Sequence, residues 1–230
     1  MTGFESGLAD GRRPLRLAHR GDSRVAPENT LPALEAAMRV PGCDGVEFDV
    51  RLSRDGVPVL LHDPTLARVQ HLRQRVDRLD EAELAAHGIP RLDEVLAALP
   101  RAWMDVELKG DGHGEVTAAI LLAARGEEPA TAVVSSFEPA TLLAMRDQLP
   151  GWTRWLNTED LSQGTLSLAV DLGCRAVSVL DRAITPSSVA RARDVGLEVA
   201  AWTVRYRATF ERMAQLGVVA CCVEAAALDG

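Results

Sequence analysis

Two stretches of this 230-residue sequence place charged side chains two positions apart inside otherwise apolar runs. One is Val46-Glu47-Phe48-Asp49-Val50 and the other is Asp105-Val106-Glu107-Leu108-Lys109. Alternate side chains of a strand share a face, so Glu47 sits with Asp49, and Glu107 with Lys109. If both faces open on one space, Glu47, Asp49 and Glu107 converge. Three carboxylates in a partly dry site repel one another until they take up protons or a cation. Oxygen donors of this kind suit Mg²⁺ or Ca²⁺ better than zinc. The alternative is that each carboxylate pairs with a basic residue.

Two histidines follow apolar runs: His19 in His19-Arg20-Gly21-Asp22 and His62 in His62-Asp63. Histidine carries protons near neutral pH. One histidine at a strand end is commonly structural, whereas two beside a carboxylate cluster suit a general acid and a general base. Arg20 and Lys109 would bring positive charge to a phosphate, the first through its fork and the second as a point charge. For Arg20 the alternative is an ion pair with Glu28 or Asp22. Pro27-Glu28-Asn29-Thr30 reads as a loop entering a helix.

These residues need a scaffold that brings strand ends together. Short apolar runs at 15–19, 45–51, 103–107, 132–136, 152–156, 176–180, 198–203 and 218–223 alternate with amphipathic stretches. Several are rich in β-branched residues and bounded by Gly, Pro or Asp, as buried parallel strands should be. Helical patterns lie between them. One at 29–38 has Asn29 as its cap, and those at 139–148 and 186–195 begin at proline and end near glycine. About eight strands with intervening helices predict a closed (β/α)₈ TIM barrel, a single α/β domain at 15–230 behind a tail at 1–14. A doubly wound open sheet is the alternative, but the glycine-rich turn that usually follows its first strand is absent. The charged stretch 63–89 is expected to form a loop and a short helix above the barrel. Few residues follow the last strand, so the eighth helix should be truncated.

Composition narrows the function classes. Aromatic residues make up only 4%, so Leu, Val and Ala must fill the core. A net charge of −8 disfavours nucleic acid as a partner, while a local cluster of cations still allows a small phosphorylated substrate. Residues 1–14 lack the apolar region of a signal peptide, and no run has the length of a membrane span. Cys43, Cys174, Cys221 and Cys222 have no metal-ligand or redox spacing, which suits reduced thiols in a cytoplasmic protein. The sequence leaves the oligomeric state open.

Taken in order, HRGD (19–22), PENT (27–30), GVEFDVRLSRDGVPVLLHD (45–63), VELK (106–109), SSF (135–137) and AWTV (201–204) resemble the glycerophosphodiester phosphodiesterase family. The match spans roughly 15–205. The resemblance implies a TIM barrel with a divalent cation, Mg²⁺ or Ca²⁺, held by Glu47, Asp49 and Glu107. It implies His19 and His62 as the acid and base, Arg20 and Lys109 on the phosphate, and Phe137 and Trp202 against the glycerol or alcohol moiety. Glu28 would order the loop around His19 and touch the metal's surroundings.

The implied reaction is metal-dependent hydrolysis of a small glycerophosphodiester to sn-glycerol 3-phosphate and an alcohol. The attacker is water, or the glycerol hydroxyl by way of a cyclic phosphate. Two other readings are a lysophospholipase D, with Val69, Leu72 and Ile89 forming an apolar groove, and a catalytically silent phosphodiester-binding barrel. The chain departs from the family pattern in three places. Arg205 stands after AWTV where the family usually has Asn. Val223-Glu224-Ala225 replaces the usual ending with Asp or Asn before Arg-Pro. Arg68-Val69-Gln70 replaces Arg-Thr-Thr, and the insertion after it is short.

Overall fold

The computed structural model describes residues 13–230, so residues 1–12 of the expected tail lie outside the described residues. Eight parallel strands are β1 (Leu15–His19), β2 (Gly45–Leu52), β4 (Trp103–Leu108), β5 (Ala132–Ser136), β6 (Thr153–Thr158), β7 (Ala176–Leu180), β8 (Glu198–Val204) and β9 (Ala220–Val223). They pair in chain order, and β1 pairs with both β2 and β9, which closes the sheet into a barrel and removes the open-sheet alternative. A short strand β3 (Pro58–Leu60) folds back antiparallel on the end of β2.

The expected strands at 132–136 and 176–180 coincide with β5 and β7. Two others shift: the run at 152–156 becomes Thr153–Thr158, and the run at 218–223 pairs only from Ala220. Apolarity marks burial rather than ladder bonds, and Trp152 and Val218 are buried just before their strands begin.

The helices form the outer layer, and their apolar faces cover the outward side chains of the strands. Leu34, Leu121, Leu142, Leu166 and Val189 pack in one continuous core with Val46, Phe48, Val106, Val134 and Val177. Local chemistry sets the helix ends. Helix α5 (Pro139–Gln148) begins on proline, and α7 (Pro186–Asp194) is capped by Thr185, whose side chain accepts from Ser188 N–H. Helix α8 (Arg207–Leu216) stops at Gly217, which takes the left-handed conformation a side chain would resist.

The first helix corrects an expectation. Helix α1 spans Leu31–Ala37 with Thr30 as the flanking residue, and Asn29 is not its cap. Asn29 instead takes a left-handed backbone (φ 56°) and turns its amide inward, toward the site.

The stretch 63–89 contains helix α2 (Glu81–Ala85), opened by a capping box between Asp80 and Glu83. It has a small apolar core of its own, with Leu61, Leu66, Val76, Leu84 and Ile89 buried and Leu72 packed against them. Of the residues expected to form an apolar groove, Leu72 and Ile89 face this core, whereas Val69 lines a surface pocket with Pro27, Thr30 and Gln70. Among the described residues β9 is followed by a 3₁₀ turn, Ala225–Ala227.

On most strands the inward side chains change from apolar to polar toward the carboxyl end. Leu17, Trp103, Val133, Trp155, Ala176 and Ala200 fill the floor, where Trp103 and Trp155 stack with ring centroids 5.6 Å apart. Two residues further along come His19, Asp105, Ser135, Asn157, Ser178 and Trp202. Function in such barrels sits at this end.

Candidate active site

The mouth holds a cavity of about 390 Å³ lined by His19, Arg20, Glu47, His62, Glu107 and Lys109, among others. The first turn after β1 shapes one wall. Arg20 (φ 59°) and Gly21 (φ 86°) reverse the chain. A Cβ on Gly21 would lie 2.6 Å from the backbone carbon of Ala33, so only glycine lets α1 close behind His19. The turn is held from below by Arg20 N–H, which donates to Glu47 O at 2.8 Å.

Glu47, Asp49 and Glu107 do converge. They are buried, and one carboxylate oxygen from each lies within 4.8 Å of the others. The pairing alternative holds in part: Arg20 Nε is 3.0 Å and Lys109 Nζ 3.2 Å from Asp49, and Lys109 also pairs with Glu107. Glu47 Oε1 accepts no hydrogen bond among the described residues. Burial raises the Glu47 carboxyl well above the usual range, and the neighbouring Asp49 and Glu107 raise it further. Burial, then Asp49, push Glu107 up to about 7 against the pull of Lys109. Burial would also raise Asp49, but Arg20 and Lys109 outweigh it and hold that carboxyl at about 2.

Arg20 settles between its two expected partners. It donates to Glu28 at 2.8 Å, while Asp22 is taken by Arg24. Glu28 is gripped on its far side by both terminal nitrogens of Arg68, each at 2.7 Å, and reaches Asp49 only through Arg20. Glu28 thus bridges Arg20 and Arg68 and does not itself touch the acidic cluster. Phe137 and Trp202 meet edge to face at 5.5 Å beside the cavity, with the Lys109 ammonium 5.2 Å over the Phe137 ring.

His62 and His19 are each tied at Nδ1 to a carboxylate. His62 Nδ1 is 2.7 Å from Asp63 Oδ1, and Asp63 Oδ2 accepts from Arg68 Nε at 2.7 Å. Burial lowers the His62 pKa, a shift that Asp49 partly offsets. His19 Nδ1 is hydrogen-bonded to Glu224 Oε1, and Glu224 Oε2 accepts from Arg205 Nε at 3.0 Å. Burial would raise Glu224, yet the bonds from His19 and Arg205 prevail and hold it at about 2.

Three residues of the site escaped the sequence reading. Asn29 clamps Asp49 by donating to Oδ2 at 2.8 Å and accepting from Asp49 N–H at 3.1 Å. Asp105 is buried under the cluster, where Ser135 Oγ donates to it at 2.6 Å; burial pushes it up to about 7 although Ser135 opposes this. Its signal was present, since it stands two residues before Glu107 on the same strand face. Glu224 carried a weaker signal, as a carboxyl just after the last strand.

A closed parallel barrel whose carboxyl-end mouth gathers carboxylates, cations and two carboxylate-tied imidazoles has the build of a TIM-barrel enzyme. The profile of the glycerophosphoryl diester phosphodiesterase family matches residues 19–227. The chain belongs to that family. It is 28% identical over 225 residues to a glycerophosphodiester phosphodiesterase of Caldanaerobacter subterraneus subsp. tengcongensis, covering 90% of this chain and 92% of that protein. It is 32% identical over 148 residues to glycerophosphodiester phosphodiesterase 1 of Mus musculus, covering 56% of this chain but only 44% of the mouse protein. Among solved structures, an Oleispira antarctica phosphodiesterase in complex with the product sn-glycerol 3-phosphate superposes with a TM-score of 0.80. That pair is 26% identical over 92% of this chain and 93% of the other.

Proposed function

We propose that this protein hydrolyses small glycerophosphodiesters to sn-glycerol 3-phosphate and an alcohol, using a divalent cation and the histidines His19 and His62. The observation that carries this reading is the meeting of Glu47, Asp49 and Glu107 with two Nδ1-tied imidazoles around one mouth.

The residues fit a cation. Glu47, Asp49, Asp105 and Glu107 are four buried carboxyls, and the cations ion-paired to this group are Arg20 and Lys109. Burial first, and then the excess of negative charge, lift Glu47 and Glu107 toward protonation. Glu47, Asp49 and Glu107 would hold Mg²⁺ or Ca²⁺, hard ions that take oxygen ligands. When bound, such an ion neutralises phosphate oxygens and lowers the pKa of an attacking hydroxyl.

The remaining work falls to the chain. Arg20 and Lys109 draw the phosphate into the mouth and stabilise charge that grows as the P–O bond breaks. One histidine takes the proton from the attacking oxygen, and the other gives its proton to the departing alkoxide. Phe137 and Trp202 offer apolar faces to the glycerol or alcohol moiety. The reading takes residues 15–230 as one catalytic domain and a cytoplasmic setting, which the four free thiols suit. Among the described residues no helix is long and apolar enough to cross a membrane.

The test is release of sn-glycerol 3-phosphate from glycerophosphocholine and glycerophosphoethanolamine with Mg²⁺, Ca²⁺ or EDTA, and with His19→Ala as control. Release that needs metal and is lost in the variant supports the reading. No release with either ion would overturn the substrate class, and turnover of lysophosphatidylcholine in its place would favour a lysophospholipase D.

A further inference from the structure

Two of the departures from the family pattern, Arg205 and Glu224, touch each other, and the second touches His19. We infer that Glu224 is a positioning residue that fixes the ring of His19 with its Nε2 turned toward the carboxylate cluster, and that Arg205 braces Glu224 in that task. The inference rests on the role proposed above for His19.

The geometry supplies the argument. A carboxylate only accepts hydrogen bonds, so the bond between His19 Nδ1 and Glu224 Oε1 places the ring proton on Nδ1. In the neutral ring the free position is then Nε2, which lies 3.8 Å from Glu47 Oε2, beside the acidic cluster. Which nitrogen of a histidine can take a proton is set by the bond the other one makes. Without Glu224 the neutral ring would be free to exchange tautomers and to turn about χ2.

Glu224 is itself held on two sides. Its Oε2 accepts from Arg205 Nε at 3.0 Å, which fixes the plane of the carboxylate. Its backbone N–H donates to Val204 O at 2.9 Å, and Ala227 N–H donates to Arg205 O at 3.2 Å, so the exits of β8 and β9 are locked together. His62 is built in the same way, with Asp63 on Nδ1 and Arg68 on the other oxygen of Asp63. Finding one arrangement twice, on the two histidines of one cavity and from unrelated segments, argues for a role in orienting rings rather than in holding strands together.

The experiment uses the full chain and two readouts. Proton–nitrogen correlation spectra of histidine-labelled protein, recorded at about pH 9 where an ordinary imidazole is neutral, report the tautomer of His19, assigned through His19→Gln. Steady-state release of sn-glycerol 3-phosphate reports kcat and KM separately. The wild type should show the Nδ1–H tautomer. Glu224→Ala should mix the tautomers and lower kcat about 30-fold or more, with KM changing less than about twofold, as for loss of an interaction that acts only in the transition state. Glu224→Gln, which still offers an accepting oxygen, should keep the tautomer and recover part of kcat. Arg205→Asn should keep the tautomer and lower kcat by less than about fivefold, because it acts on the ring only through Glu224.

An Nε2–H tautomer in the wild type would overturn the inference. So would a Glu224→Ala variant with unchanged tautomer and kcat, or one whose whole defect lies in KM. Should Glu224→Ala fail to fold, the glutamine variant decides through its kcat, and a kcat equal to that of the wild type in Glu224→Gln would count against the inference. If the wild type turns over no glycerophosphodiester, the reaction proposed above fails. The spectra then decide this inference alone: a tautomer that changes with Glu224→Ala supports it, and one that does not overturns it.

Discussion

His62 and His19 are each supported by the same two groups, a carboxylate and an arginine, drawn from different distances along the chain. His62 takes its carboxylate from the next residue, Asp63, and the brace on that carboxylate, Arg68, lies five residues further on. His19 takes its carboxylate from Glu224, 205 residues away, and the brace from Arg205, just past the end of β8. The first arm is a property of one loop with its own small core of Leu66, Val76, Leu84 and Ile89. The second arm exists only because β1 pairs with β9, with Ala18 in register with Val223, and so closes the barrel. A local arm can be read from a few adjacent residues. A long-range arm has to be inherited from the whole topology, and any change that loosens closure should reach His19 before His62.

The largest test of this parallel is removal of the rings. His19→Ala and His62→Ala should each lower kcat about a thousandfold, within the range for loss of a general acid or base, as measured by release of sn-glycerol 3-phosphate. A loss below about tenfold for either one would break the parallel and leave a single proton carrier.

His113 sharpens the comparison, because its ring is buried with no carboxylate on either nitrogen: it meets Thr117 Oγ1 and Lys109 O. Burial pushes its pKa down to about 4. The unfolded chain binds a proton there near pH 6.5 that the folded chain refuses, so the group favours folding above that pH. Its contribution should fall away between about pH 6.5 and pH 4, by up to about 3 kcal/mol in all. Urea unfolding across this window, wild type against His113→Leu, should show the dependence only in the wild type.

The two braces should differ in effect. Arg68 holds Glu28 as well as Asp63, and through Glu28 it reaches Arg20, whereas among the described residues the Arg205 side chain bonds Glu224 alone. Arg68→Ala should therefore lower kcat about tenfold or more, and more than Arg205→Ala does, since it releases charged hydrogen bonds on two carboxylates. Equal effects would show that the Glu28 branch adds nothing.

The smallest effect belongs to a long-range pair in water. Arg24 bonds Asp229, also 205 residues away, but both side chains are more than two-fifths exposed. Asp229→Asn should change stability by no more than about 0.5 kcal/mol. A larger loss in thermal melting would mean that sequence separation, rather than burial, governs these contacts.

The amino-acid sequence by itself determined the alternation of strands and helices, and with it the barrel, because each run carries its own apolar pattern and its own breakers. It also determined that Glu47 and Asp49 share a face and that Glu107 and Lys109 share another, because the period of a strand is a property of the backbone. The loop from Asp63 to Arg68 was legible as charge without its geometry. Tertiary structure alone decided what meets across strands. Asn29 reads as a helix cap locally, but its amide is taken by Asp49, where a buried carboxylate offers a better partner than a solvated helix end. Asp105 becomes part of the site only when β5 brings Ser135 beside it. Glu224 finds His19 only when the last strand returns to the first. Local patterns follow from steric and capping rules within a few residues, whereas these contacts depend on strand order and register, which are settled by closing the whole barrel.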